Sequence, residues 1–221
     1  MNFNQLFGEA LDREFNLSEK KRRNTPSRPD YSSHTWSKML HRDDARMLMQ
    51  NSKESLLFIR RFRVPYQIFK EVIVPDCKAN DVFDNNQDHF IVPIELKILI
   101  ALRILGRDAC ADDCSENTGV SEQSCNRYFK QFVINYSYKC FSKYVYFPEV
   151  GSAELTSVME VYRLLGFPGC LGSLDATHVK WDKCPSEHKW RCTGKEGEPT
   201  VVFQVVVSHS KQVFHVSEVI N

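Results

Sequence analysis

Three groups of residues in this 221-residue chain have types and spacings that could do chemistry. The first is Gly172-Ser173-Leu174-Asp175-Ala176-Thr177-His178, where a carboxylate stands in an otherwise apolar, strand-like run. Burying a carboxylate is costly unless it is paired or bound to a cation. Asp175 therefore reads either as a metal ligand at a sheet edge or as a structural Asp bonded to nearby Thr or backbone groups. The second group is Gln123, Asn126, Arg127 and Lys130, spaced to share one face of a helix. On a helix entering the major groove, Gln and Asn pair with adenine, Arg with guanine and Lys with phosphate. The same stripe would equally make the polar outer face of a small helical subdomain. The third group, Cys184, His188 and Cys192, has a C-x₃-H-x₃-C spacing that fits no standard zinc module. All eight cysteines are irregularly spaced and read mostly as buried small hydrophobes.

The DNA-reading stripe needs a helix-turn-helix to present it, and residues 108–132 have that pattern. Asp108 is a suitable N-cap for a helix with Ala111, Cys114 and Ser115 inward. Gly119 supplies the positive φ of a sharp turn, and the small Ser115 lets the helices cross closely. Ser121 caps the next helix, with Val120, Cys125 and Tyr128 or Phe129 plugging the angle between the two. Before this unit, a helix after Pro93 is apolar almost all round and is stopped by Gly106. Earlier still, Leu56, Leu57, Ile59 and Phe62 mark a helical stripe from Lys53, beside Arg60, Arg61 and Arg63. Pro65 ends it, Tyr66, Phe69, Val72 and Ile73 suggest a second helix, and residues 75–90 read as a polar connection. Tyr136, Tyr138, Phe141, Tyr144, Tyr146 and Phe147, closed by Pro148, are read as a packing seam between domains rather than a base-stacking platform.

Asp175 needs a sheet. After a helix over Glu154–Leu165, three segments rich in Val, Phe and Leu have strand lengths: Cys170–Trp181, Pro199–Ser208 and Gln212–Ile220. A loop at Gly194–Gly197 and a tight turn at Ser208–Lys211 predict an antiparallel meander.

Composition is ordinary for a globular chain, at 42% hydrophobic and 26% charged. No apolar run approaches the roughly 18–20 residues of a membrane span, so no membrane partner is expected. The N-terminus lacks a secretory signal, which predicts an intracellular protein with reduced thiols. The net charge of +1 conceals an uneven split, since Arg13 to Arg63 holds thirteen Lys/Arg against six Asp/Glu. Such an end, with Lys20-Lys21-Arg22-Arg23 in it, suits either a polyanion partner or a solvated tail.

Gly169-Cys170-Leu171-Gly172-Ser173-Leu174-Asp175-Ala176-Thr177-His178-Val179 resembles the first-strand signature of the PIF/Harbinger transposases, the plant-transposon-protein type of the DDE superfamily. The similarity continues through Trp181, Cys184-Pro185, Gly194-Lys195-Glu196-Gly197 and Pro199-Thr200-Val201-Val202. Upstream, Phe62-Arg63-Val64-Pro65-Tyr66 with Phe69, and Pro93-Ile94-Glu95-Leu96-Lys97 running into Ala101-Leu102-Arg103, extend it over residues 53–219.

The residue patterns predict an α+β chain with a basic, poorly ordered tail (1–52), a helical region with the helix-turn-helix (53–147) and a three-stranded start of a further domain (148–221), and the resemblance implies that those strands are the first three of an RNase H-like α/β nuclease domain. The activity it implies is DNA cleavage and strand transfer by three carboxylates and two divalent ions about 3.5–4 Å apart. Asp175 matches the first carboxylate and metal ligand. His178, three positions on, is read as a supporting residue, and Asp182, Glu187 and Glu218 match none of the other ligands. The second and third acids are expected beyond Asn221, so this stretch alone is expected to be catalytically incomplete. Mg²⁺ or Mn²⁺ is expected only for a complete domain. Expected partners are double-stranded DNA at transposon ends and a second DNA-binding subunit or another copy of the chain, in the nucleus. The alternative is a non-catalytic DNA-binding protein that keeps only the helix-turn-helix.

Overall fold

A computed structural model describes residues 30–84, 91–194 and 197–219. The charged span expected to be a tail is helical from Tyr31 onward. A 3₁₀ turn, Tyr31–Ser33, leads into α1 (Thr35–Arg42) and α2 (Asp44–Leu48). Trp36, Met39 and Met47 recur at helical spacing among the charges, and all three are buried in the main core. Lys20–Arg23 lie outside the described residues.

In α3 (Lys53–Phe62) the buried residues are Ser55, Phe58 and Phe62, while Leu56 is exposed. The inward stripe is thus rotated from the expected one, because aromatic packing decides it. The Phe58 ring lies 4.7 Å from Phe62, 4.9 Å from Tyr66 and 5.4 Å from Phe69. The next helix comprises α4 (Tyr66–Ile68), a π-helical turn at Phe69–Ile73, and α5 (Val74–Ala79). It therefore runs through Pro75, where the sequence suggested a connection. The widened turn, in which Val74 N–H donates five residues back to Phe69, gives the proline ring room in the helix.

The central helix α6 (Ile94–Arg107) buries Leu96 through Leu102, Lys97 included. The Lys97 ammonium sits 4.6 Å from the Tyr128 ring centroid and 5.8 Å from that of Phe83. Gly106 does not stop this helix. The helix ends one residue later, with Asp108 left-handed at φ 52° as its C-cap rather than as the next N-cap. A Cβ on Gly106 would lie 2.6 Å from Arg63 Cγ, so the glycine serves close approach to α3. Cys110 caps α7 (Ala111–Thr118), its Sγ accepting from Asp113 N–H at 3.5 Å.

Gly119, at φ 72°, turns the chain into α8 (Glu122–Gln131), which Ser121 caps. Val120, Cys125 and Tyr128 are buried between the helices as expected, with Phe129 only half-buried. A second π-helical turn, Phe132–Tyr136, carries the helix on into α9 (Ser137–Tyr144). Much of the aromatic seam is therefore helical. Tyr136 stacks on Phe132 at 4.9 Å and on Tyr144 at 6.5 Å, inside the helical body. Phe147 does reach the sheet, meeting Phe214 at 5.3 Å, whereas Tyr138 is exposed.

Ser152 caps α10 (Ala153–Leu164), and the sheet follows: β1 (Ser173–Lys180), β2 (Thr200–Val207) and β3 (Val213–Val219), antiparallel in the order β1-β2-β3. The meander is as expected, with a bulge between Val206 and Val207. A helix, α11 (Ser186–Cys192), fills the first connection; none of its residues is buried, so no apolar stripe announced it. A small core of Val158, Tyr162 and Phe214 joins α10 to the sheet. Among the described residues no helix is long and apolar enough to cross a membrane.

Candidate functional site

The residues singled out in the sequence fall in three places: α8, β1 and the connection that holds α11. Gln123, Asn126, Arg127 and Lys130 all lie on α8, on the side away from the buried Cys125 and Tyr128. Gln123 is exposed and the other three are half-buried. The face is held rigidly from behind, because α8 packs along α6 and crosses α7 with Val120 in the angle. Arg127 is folded back: its guanidinium lies 5.2 Å from the Tyr128 ring, and its Nη2 donates to the Tyr128 hydroxyl at 3.4 Å.

The turn before this face is closed from outside by α1. The side chain of His34, the α1 N-cap, occupies the space a Gly119 side chain would take. Electrostatically, α7 and α8 are not a basic surface. Residues 111–131 carry Asp112, Asp113, Glu116 and Glu122 against Arg127 and Lys130.

Asp175 lies on β1, opposite Val205 of β2. It is exposed, as is every residue of β1, so the burial cost that would demand a partner does not arise. Its Oδ1 accepts from Ala176 N–H at 2.9 Å, a bond to a backbone group of the kind expected of a structural Asp, but in an exposed rather than a buried setting. Alternation along the strand puts Thr177 and Val179 on the Asp175 face and His178 on the other. His178 Nδ1 lies 3.1 Å from Thr200 Oγ1 across the strand pair.

Cys184, His188 and Cys192 do not assemble a metal centre. The His188 ring stacks on Trp181 at 6.5 Å, and Cys184 Sγ approaches the Pro185 carbonyl at 3.6 Å. Among the described residues no group of three or more His, Cys, Asp or Glu is placed to hold an ion. All eight cysteines are free thiols, but only Cys77, Cys114, Cys125 and Cys140 are buried, and Cys110 is exposed. Burial pushes the Cys77, Cys114 and Cys125 thiols up to about 12, the state of inert core residues.

Sequence reasoning missed the most connected carboxylate of the helical body. Asp76 on α5 accepts from Lys143 Nζ at 2.6 Å and from the Tyr144 hydroxyl, both on α9. No local signal marks it, since its partners lie 67 and 68 residues away.

Residues 142–221 match the family model of plant transposon proteins. No curated protein and no solved structure matches the chain. The family match runs from the end of α9 through β3 and supports a transposon-derived origin. It takes in Asp175 and leaves α6, α7 and α8 outside, so upstream of residue 142 the resemblance rests on the residue pattern alone.

Proposed function

We propose that the chain is a transposase-derived protein of the PIF/Harbinger type. In this reading α7 and α8 are a DNA-binding helix-turn-helix, and the sheet opens an RNase H-like DDE nuclease domain. The observation that carries it is one coincidence: the segment matching plant transposon proteins is a three-stranded antiparallel meander with an exposed carboxylate, Asp175, in its first strand. An exposed Asp bonded only to its neighbour's amide is open to a hard cation, which prefers carboxylate and water oxygens.

The parent chemistry is cleavage and strand transfer with two Mg²⁺ or Mn²⁺ ions, Asp175 contributing the first ligand. The described residues do not supply the rest of such a centre, because Asp175 belongs to no group of three or more His, Cys, Asp or Glu among them. No catalytic step is derived from this chain. The same solitary carboxylate favours a second reading, a DNA-binding protein without nuclease activity. Both readings put duplex DNA against α8 and the protein in the nucleus, with another copy or a separate subunit holding the second transposon end.

The test common to both is in vitro selection of duplexes from a random library by the 221-residue chain. A recovered sequence preference should weaken and flatten when Gln123 and Asn126 are both replaced by Ala. Each bidentate pairing with a base is worth about 1–3 kcal/mol of discrimination. Absence of any enriched sequence, or enrichment unchanged in the double variant, would remove α8 from DNA recognition.

A further inference from the structure

The acidic balance of α7 and α8 poses a problem for any duplex-binding role, since phosphate attraction dominates affinity. The nearest surplus of positive charge lies where α3 and α6 end together. Arg63, left-handed at φ 62° as the α3 C-cap, donates from Nε to the Gly106 carbonyl at 3.3 Å. Arg103 on α6 donates from Nη1 to the Arg61 carbonyl at 3.5 Å. These two bonds stitch the ends of α3 and α6 together at one corner of the helical body, with Arg60 and Arg61 in the last turn of one helix and Arg107 in the last turn of the other.

The carboxylates of that corner are fewer. Asp113 pairs with Arg103 at 3.3 Å, and Asp108 and Asp112 flank it in sequence. Arg61 is half-buried, with Nη1 3.6 Å from Met39 Sδ. Arg60, Arg63 and Arg107 are exposed, and among the described residues none of them pairs with a carboxylate.

Cations at helix C-termini also offset the helix dipole. Four of these arginines stand in the last turn or at the C-cap of the two helices: Arg60, Arg61 and Arg63 on α3 and Arg107 on α6. We infer that Arg60, Arg63 and Arg107 form a phosphate-contacting patch that holds the backbone of duplex nucleic acid while α8 faces its groove. The inference rests on the duplex-binding reading above and adds the source of its affinity. The spacing suits it: the patch adjoins the start of α7, whose eight residues span about 12 Å before the turn into α8. That is about the width of the major groove. Arginine is also the fitting cation, because its planar fork meets phosphate oxygens two at a time.

The experiment is fluorescence anisotropy with a labelled mixed-sequence duplex and the full chain, from about 50 to 200 mM salt. The Arg60→Ala/Arg63→Ala/Arg107→Ala variant should bind at least about tenfold more weakly on every duplex. Its slope of log affinity against log salt should shrink by about 0.9 for each phosphate no longer neutralised. If loss of the Arg63–Gly106 bond unfolds that variant, Arg60→Gln/Arg107→Gln leaves the bond in place and should lower the slope by the equivalent of about two phosphates. Unchanged affinity and slope in a folded variant would overturn the patch while leaving α8 untouched. Failure of the unaltered chain to bind any duplex would overturn both. Weakened binding to heparin with DNA binding intact would overturn the inference in favour of a sulfated polysaccharide.

Discussion

Asp76 shows how a single side chain fixes the aromatic helix that sequence left unplaced. Burial alone would raise its carboxyl pKa, but hydrogen bonds from Lys143, Tyr144 and Tyr136 outweigh it and hold the group below the usual aspartate value. A carboxylate whose folded pKa is depressed contributes stability above its unfolded pKa, about 3.9, and that stability is lost as pH falls through the lower folded value. Asp44, held down by Lys70 and Tyr66, shares this acid window. Asp76→Asn should therefore flatten, without abolishing, the loss of stability below about pH 4. Asp76→Ala, which removes the acceptor shared by Tyr136 and the more exposed Lys143 and Tyr144, should cost about 1–2 kcal/mol and lower the melting midpoint by roughly 2–8 °C. Thermal melts over a pH series check both, and an Asn variant with wild-type acid sensitivity would show that Asp76 carries none of it. Sequence could not reveal this group, because its partners come from a helix more than 60 residues away. Lys97 was hidden for the complementary reason, since a cation on an apolar helix is expected to reach solvent and here it enters an aromatic pocket. Asp175 was legible as a carboxylate in a strand, yet its exposure depends on what covers the sheet, which no local pattern encodes.

At the scale of elements, the α7–turn–α8 unit was the most legible part of the chain, because its turn has a local cause. Gly119 adopts a φ of 72° that costs an L-residue roughly 1–2 kcal/mol. The His34 ring adds a second constraint, visible only in three dimensions. Gly119→Ala should thus destabilise the chain by about 2–3 kcal/mol, more than backbone strain alone. Adding His34→Ala should recover the steric part and leave the backbone part, so the double variant should fall between the two states in denaturant midpoint. A neutral Gly119→Ala would refute both terms, and a double variant no better than the single would refute the His34 term. Elements were misread where the cause was not local. Pro75 looked like a break, but the π turn before it absorbs the ring, and Phe132–Tyr136 carries α8 into α9 in the same way. Gly106 looked like a stop because glycine often is one, whereas here it makes room for Arg63. β2 and β3 were read to within one residue at each end because valine-rich runs favour strands, whereas β1, with a single valine, begins three residues later than expected.

Across the whole molecule, apolar burial is divided unequally between the helices and the sheet. The main core runs from Trp36 to Phe132 and encloses α6, whose residues Ile98, Leu99, Ile100 and Ala101 are fully inaccessible. Among the described residues the sheet's buried cluster is Val158, Tyr162 and Phe214, with Val202 also buried, and β1 is exposed along its whole length. Links between the two parts are sparse: Gln212 Nε2 donates to the Tyr144 carbonyl at 2.8 Å, Val145 forms a single parallel bridge with Val213, and Phe147 meets Phe214. Each fully buried aliphatic or aromatic side chain supplies about 1.5–3 kcal/mol, so the helical body holds nearly all of the hydrophobic stabilisation. Segments with little buried apolar surface open at lower free energy than the core they adjoin. Hydrogen exchange should accordingly rank the amides of α6 as slowest, those of β2 as intermediate, and those of α11 and β1 as fastest. The outer edge of β1 adds to its rate, since among the described residues β2 is the strand it pairs with and half of its backbone groups face away from it. Limited proteolysis should cut within residues 181–194 before it cuts anywhere inside α6 through α8. Equal protection of β1 and α6, or first cleavage inside α6 through α8, would mean that the sheet is stabilised as strongly as the helices, and the division drawn from burial would be wrong.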